Sequence, residues 1–187
     1  MEKKIAIYLG SAQHKKKAIE IVLNDLKIPY LFLSDDDLQQ TTGYIMQLPH
    51  FSKTNTNEHV SFSSDLMILQ NIEDQEIQAI NTLLKALDCS MTRKAMLTEH
   101  NKKWFIKDLL CEIEKEHHYF MVVAKIRELL NEGQTLRIDN YTATSYECYK
   151  NAFYHAYECI SKDSSYEDVQ LAYDQLIVAK NKLQKQT

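Results

Sequence analysis

The chain has 187 residues, 44% of them hydrophobic and 26% charged, which is ordinary globular usage and excludes an intrinsically disordered protein. Its formal net charge of −4 is spread evenly, so no segment is a basic nucleic-acid footprint or an acidic tail, and no nucleic-acid partner is expected. Three glycines and two prolines are few, and they point to helix-rich structure with short connections.

Four cysteines, Cys89, Cys111, Cys148 and Cys159, show no CxxC spacing and read as reduced thiols. Met1-Glu2-Lys3-Lys4 followed by Ile5–Leu9 imitates a signal peptide, but the apolar stretch is too short and Lys15-Lys16-Lys17 follow it. The longest apolar run is about six residues, far from the ~20 that span a bilayer. A cytoplasmic location without membrane contact is expected.

Ile5–Leu9 is a continuous apolar run and predicts a buried strand. Ser11 is placed to cap the helix that follows, whose Ala18, Ile19, Val22, Leu23 and Leu26 share one face. Ile28-Pro29 ends it, and Tyr30–Leu33 predicts a second strand. Ser34-Asp35-Asp36-Asp37 has the S-x-x-D capping form, which predicts a helix from about Asp35 to Met46. From Pro49 to Asp65 the chain is polar and aperiodic, so a loop is expected over 49–65. Leu66–Leu69 predicts a third strand, Ile77 to Leu87 a helix, and Lys94–Leu97 a fourth strand. Thr98 is expected to cap a long helix running through Trp104, Leu109, Leu110 and Ile113.

The two halves of this region resemble copies. Phe32-Leu33-Ser34-Asp35-Asp36-Asp37 aligns with Met96-Leu97-Thr98-Glu99-His100-Asn101, and Ile45-Met46 falls opposite Leu109-Leu110. Residues 1–115 are therefore expected to form an α/β domain of duplicated βαβα units around a four-stranded, at least partly parallel sheet. After the polar patch Glu114-Lys115-Glu116-His117-His118, apolar positions resume at Phe120, Val123, Ile126 and Leu130, with Gly133 as the first stop. One long helix can thus serve both parts of the chain. A second helix is expected from Thr142 or Thr144, with Tyr146, Tyr149, Phe153, Ala156 and Ile160 inward. A third is expected after Ser164, with Val169, Ala172, Tyr173, Leu176, Ala179 and Leu183 inward. Three amphipathic helices with short loops predict a C-terminal three-helix bundle over 116–187.

Residues 1–113 resemble the bacterial domain-of-unknown-function family numbered 3783, on the strength of Lys94-Ala95-Met96-Leu97-Thr98-Glu99-His100-Asn101-Lys102-Lys103-Trp104 with Leu109-Leu110 after it, and of Leu33–Tyr44. That resemblance implies a domain and no chemistry. Residues from about Ala124 to Leu183 are similar to a FIVAR module, a helical unit of Gram-positive surface proteins. The residues that carry this are Tyr141-Thr142, Ser145-Tyr146, Tyr149, Ala152-Phe153, Ala156, Val169, Ala172-Tyr173, Leu176 and Ala179.

No nucleophile with an adjacent base, no paired-carboxylate cleft and no phosphate-binding loop is present, so no catalytic residue is expected. His155, Cys159 and Cys148 share helical spacing, as do Cys111, Glu114 and His118, but neither set supplies a complete ligand shell, and no metal or cofactor is expected. Asp35-Asp36-Asp37 at a strand end is explained by capping. Lys15, Lys16 and Lys17 lie in a first helical turn, where the dipole disfavours positive charge. An anion held by Ser11 and these lysines would resolve that anomaly. Seven of the eleven tyrosines fall between Tyr141 and Tyr173, and Tyr154 and Tyr157 lie off the apolar stripe. Partly exposed tyrosines suit interfaces. The expected function is non-enzymatic binding of an unknown protein partner through Tyr154 and Tyr157. The alternative is a small-anion or nucleotide-binding α/β domain using Ser11, Lys15, Lys16 and Lys17.

Overall fold

Residues 2–55 and 59–186 are described in the computed structural model, so positions 56–58 of the expected polar loop lie outside the described residues. The chain divides into two units, Met1–Lys115 and Glu116–Thr187. The first contains strands β1 (Lys4–Tyr8), β2 (Tyr30–Leu33), β3 (Leu66–Gln70) and β4 (Lys94–Met96). Its helices are α1 (Lys16–Asp25), α2 (Thr42–Ile45), α3 (Asp74–Ala86) and the start of α4 (Ile106–Gly133).

The sheet is mixed, in the order β2-β1-β3-β4. β1 pairs in parallel with β2, and β3 in parallel with β4. The two pairs join through antiparallel β1 and β3, with Ala6 opposite Ile68. Both central strands are covered on both faces, which is why Ile5-Ala6-Ile7-Tyr8 and Leu66-Met67-Ile68-Leu69 are unbroken apolar runs rather than alternating ones.

Successive residues of a strand point to opposite faces, so the sheet separates two cores. On one face Ile5, Ile7, Met67 and Leu69 pack against Ile19, Val22 and Leu23 of α1 and Ile80 and Leu84 of α3. On the other, Ala6, Leu66 and Ile68 meet Leu38, Ile45, Met46, Ile106, Leu109 and Leu110. Each such Leu or Ile contributes about 1.5–3 kcal/mol relative to exposure. Gly10 ends β1 at φ +52°, a conformation that favours glycine. A Cβ there would stand 2.6 Å from the Phe62 and Ser63 carbonyl oxygens.

Two expected helix starts are displaced for one reason. No continuous helix runs from Asp35 to Met46. A 3-10 turn spans Asp35–Gln39, opened by the Asp37 carboxylate accepting the Ser34 amide at 2.8 Å. The chain then extends through Gln40 and Thr41 before α2, where the Thr41 hydroxyl accepts the Tyr44 amide at 3.3 Å. In the second half, Thr98 does not open α4: a 3-10 turn (Asn101–Lys103) with His100 at its N-cap comes first. Thr98 and Asn101 bond reciprocally across its start, the Thr98 hydroxyl accepting the Asn101 amide at 3.2 Å and the Asn101 carboxamide oxygen accepting the Thr98 amide at 2.8 Å. What interrupts both helices is a pairing between them. Thr41 bridges Phe105, the Thr42 amide donates to the Trp104 carbonyl at 2.8 Å, and the Ile106 amide donates to the Gln40 carbonyl at 2.9 Å. Local helix propensity is a weak prior that such tertiary pairing overrides.

The second unit holds the rest of α4 with α5 (Ala143–Ser161) and α6 (Tyr166–Asn181). Val122, Val123, Ile126 and Leu130 of α4 share one buried cluster with Tyr149, Ala156 and Cys159 of α5 and Val169, Ala172 and Leu176 of α6. Thr142 is the N-cap of α5. The cap of α6 is Ser165, one residue beyond the expected Ser164, and its hydroxyl accepts the Asp168 amide at 3.2 Å. Short main-chain pairing closes this unit, with the Thr142 amide donating to the Gln184 carbonyl at 2.8 Å.

Candidate functional site

Ser11 does not cap α1. Its amide and hydroxyl both donate to the Ser63 carbonyl, at 3.0 and 2.9 Å, and a 3-10 turn (Gln13–Lys15) intervenes before α1 begins at Lys16. The lysines that follow are not gathered around one point. Lys15 turns its ammonium to the Asp65 carboxylate at 2.7 Å and the Ser90 carbonyl at 2.7 Å. Lys16 lies over the Phe32 ring, 5.0 Å from its centroid, a cation–π contact. Lys17 is exposed. Lys15 and Lys16 thus meet groups of the protein itself, while Lys17 faces solvent.

Asp65 is the centre of a network that sequence reasoning missed. It is 5% exposed and lies immediately before β3. Lys15 approaches one oxygen and Arg93 the other, at 3.7 Å, while Arg93 also pairs with Glu114 at 3.1 Å. Next to Arg93, the Lys94 ammonium donates to the Met91 carbonyl. Burial holds Lys94 below the ordinary lysine value, Asp65 opposing that shift and Lys15 adding to it.

At the opposite end of the aspartate run, Asp35 accepts the Tyr8 hydroxyl at 2.7 Å, and the Phe62 amide donates to the same hydroxyl at 3.1 Å. Burial raises the Tyr8 phenol above its ordinary value; the hydrogen bond to Phe62 opposes this and Asp35 reinforces it. The aspartates thus serve capping and a strand-end phenol. His155 Nε2 lies 3.6 Å from the Cys159 sulfur. Among the described residues no group of three or more His, Cys, Asp or Glu is placed to hold a metal ion.

The helical unit brings Tyr154 and Tyr157 together on one groove. They are 60% and 57% exposed and line a cavity of about 480 Å³ between α4 and α5, with Leu130 and Phe153 as floor and Arg127 and Asn131 as rim. The Phe153 and Tyr154 rings meet edge to face at 5.9 Å, which fixes the wall of the groove. Gly133 makes this packing possible: a Cβ on it would stand 2.7 Å from the Phe153 ring. Tyrosine density was the signal that pointed here. Arg127 and Asn131 carried none, since polar residues on the wet face of a helix are commonplace.

No described helix is long and apolar enough to cross a membrane. Residues 65–120 match the model of a family described as a domain of unknown function (DUF3783). The match holds Lys94–Trp104 and Leu109-Leu110, and it runs from the second half of the first unit five residues into the second, rather than over the whole of 1–113. The chain matches no curated protein and no solved structure.

Proposed function

We propose that this chain is a non-enzymatic, cytoplasmic interaction protein whose helical unit seats a short segment of a protein partner in the groove between α4 and α5. The observation that carries this reading is the pair of half-exposed tyrosines, Tyr154 and Tyr157, over an apolar floor. Rigid aromatic rings supply large contact area at low entropic cost, and they are enriched where binding energy concentrates. Arg127 offers a planar fork of donors at the rim, suited to a carboxylate or to main-chain carbonyls. The matching partner segment would bear an apolar or aromatic anchor beside an acidic side chain.

The test is quantitative affinity capture with the natural chain and with the Tyr154→Ser/Tyr157→Ser double variant, folding of both being checked by circular dichroism. One or more proteins should be depleted about tenfold or more on the variant, the size of effect expected for losing a binding hot spot. Identical capture by the two chains overturns the reading.

We further infer that the first unit arose by duplication of a βαβα half, and that the helical unit is a three-helix bundle of FIVAR type. Support for the duplication comes from equivalence: the alignment that sets Phe32 against Met96 also sets Gln40 against Trp104 and Thr42 against Ile106. The two reciprocal hydrogen bonds are then counterparts of one another. Asp37 and Asn101 are likewise counterpart caps, each accepting the amide three residues before it. Support for the bundle comes from Tyr149, Ala156, Val169, Ala172 and Leu176, motif positions that share one core with Val122 to Leu130.

A further inference from the structure

In the first unit a second pocket, of about 330 Å³, opens between the last turns of α3 and the segment leading into β4. Lys85 and Asn81 face it from α3, and Ser90, Thr92 and Lys94 from the other side. Its chemistry is cationic and unbalanced. The neighbouring network is neutral, since Lys15 and Arg93 are matched by Asp65 and Glu114. Lys85 and Lys94 stand outside that balance: among the described residues neither has a carboxylate within ion-pair distance, and the Lys94 bond is to a main-chain carbonyl. Lys94 is part-buried and feels Asp65 only from beyond ion-pair distance, while Lys85 is exposed at the mouth of the pocket. A ligand of two negative charges supplies the near counter-charge that the Lys94 ammonium lacks.

We propose that this pocket binds the dianionic oxyanion of a phosphate group, with Lys85 and Lys94 as counter-charges and the Ser90 and Thr92 hydroxyls and Asn81 carboxamide as further donors. An ammonium has three donors, and Lys94 spends one on Met91, which leaves two for ligand oxygens. The volume suits a phosphate with an organic substituent. This site differs from the one expected at Ser11, Lys15, Lys16 and Lys17, and it does not depend on the groove of the helical unit.

The probe is inorganic phosphate, titrated calorimetrically into the full chain at constant ionic strength, with chloride as the control and glycerol phosphate as a second arm. Saturable one-site binding in the millimolar range or tighter is expected, weakened about tenfold by Lys85→Met and by Lys94→Met. Lys85 is exposed on a helix, so its variant tests the site without threatening the fold. Tighter binding of glycerol phosphate than of inorganic phosphate would identify a phosphomonoester as the ligand; equal binding would identify the free ion. No saturable binding to the natural chain overturns the proposal, as does an affinity unchanged in the folded Lys85→Met chain.

Discussion

The Lys15 ammonium and the Asp65 carboxylate meet at 2.7 Å across fifty residues of sequence, tying the start of α1 to the start of β3. Asp65 also faces Arg93, so removing it leaves Lys15 and Arg93 with Glu114 as the one carboxylate of the network. Asp65→Ala should destabilise the first unit by about 3 kcal/mol, because an uncompensated buried charge costs far more than a surface pair is worth. Lys16→Ala, which removes a surface cation–π contact, should cost about 0.5–1 kcal/mol. Urea unfolding of the two variants checks the order; equal losses would mean that Asp65 is not the centre of the network.

Gly133 ends α4 beneath the Phe153 ring. On helix propensity alone, Gly133→Ala should stabilise by up to about 1 kcal/mol. The clash with Phe153 opposes this, since overpacking a core costs about 1–3 kcal/mol. The packing effect is the larger, so the variant should melt at a lower temperature than the natural chain. A higher melting temperature would show that Phe153 and the Tyr149 hydroxyl, which a Cβ there also meets, move aside freely.

Two tyrosines should titrate late. Burial raises the phenols of Tyr8 and Tyr149 above the ordinary value of about 10. A group whose folded value is raised holds its proton longer in the folded chain. The stability it contributes is therefore present below the unfolded value and is lost as pH rises through the folded one. Absorbance at alkaline pH should show late-ionising phenols that disappear in Tyr8→Phe and Tyr149→Phe, and alkaline unfolding should be delayed in both variants.

Lys94 behaves in the opposite sense. Its folded value is lowered by burial, so the unfolded chain binds the proton more tightly. Stability should rise as pH climbs from the folded Lys94 value towards the ordinary lysine value, and Lys94→Met should flatten that rise. Denaturant midpoints measured between neutral pH and the onset of tyrosine ionisation test this; an unchanged slope in the variant would count against burial of the ammonium.

If Asp37 and Asn101 are equivalent caps, the Asp37 position should accept the other's side chain. Asp37→Asn should cost less than about 1 kcal/mol, and alanine at either position about 1 kcal/mol or more. Asn101→Asp should cost more than Asp37→Asn, because it also removes the amide that donates to the Met96 carbonyl at 2.8 Å. Thermal melts of the four variants decide it.

The strands were legible because β1 and β3 are continuous apolar runs, which local pattern alone can reveal. The helix starts near Asp35 and Thr98 were not, because the bridge between Thr41 and Phe105 is a long-range event that no local window contains. Ser11 has the side chain of a cap, yet the turn at Gly10 delivers it to the Ser63 carbonyl instead. Ser164 and Ser165 differ by one register position, too fine a distinction for a capping pattern to resolve. Tyr154 and Tyr157 stood out as aromatic residues off the stripe. Lys85 and Lys94 did not, since only the packing of β4 beside β3 brings a strand lysine to the end of α3.

The antiparallel join of β1 to β3 has a consequence for how the polypeptide acquires its shape. β1 receives β2 from nearby sequence, but its other edge stays open until Leu66–Gln70 is available. The first forty-odd residues can therefore close one parallel pair and must wait, with a bare apolar strand edge, for a segment some sixty positions later. Closing that gap costs chain entropy before any contact repays it. The slow step in folding should be the meeting of Ala6 with Ile68. A nascent chain stalled before residue 65 would be the form most exposed to aggregation.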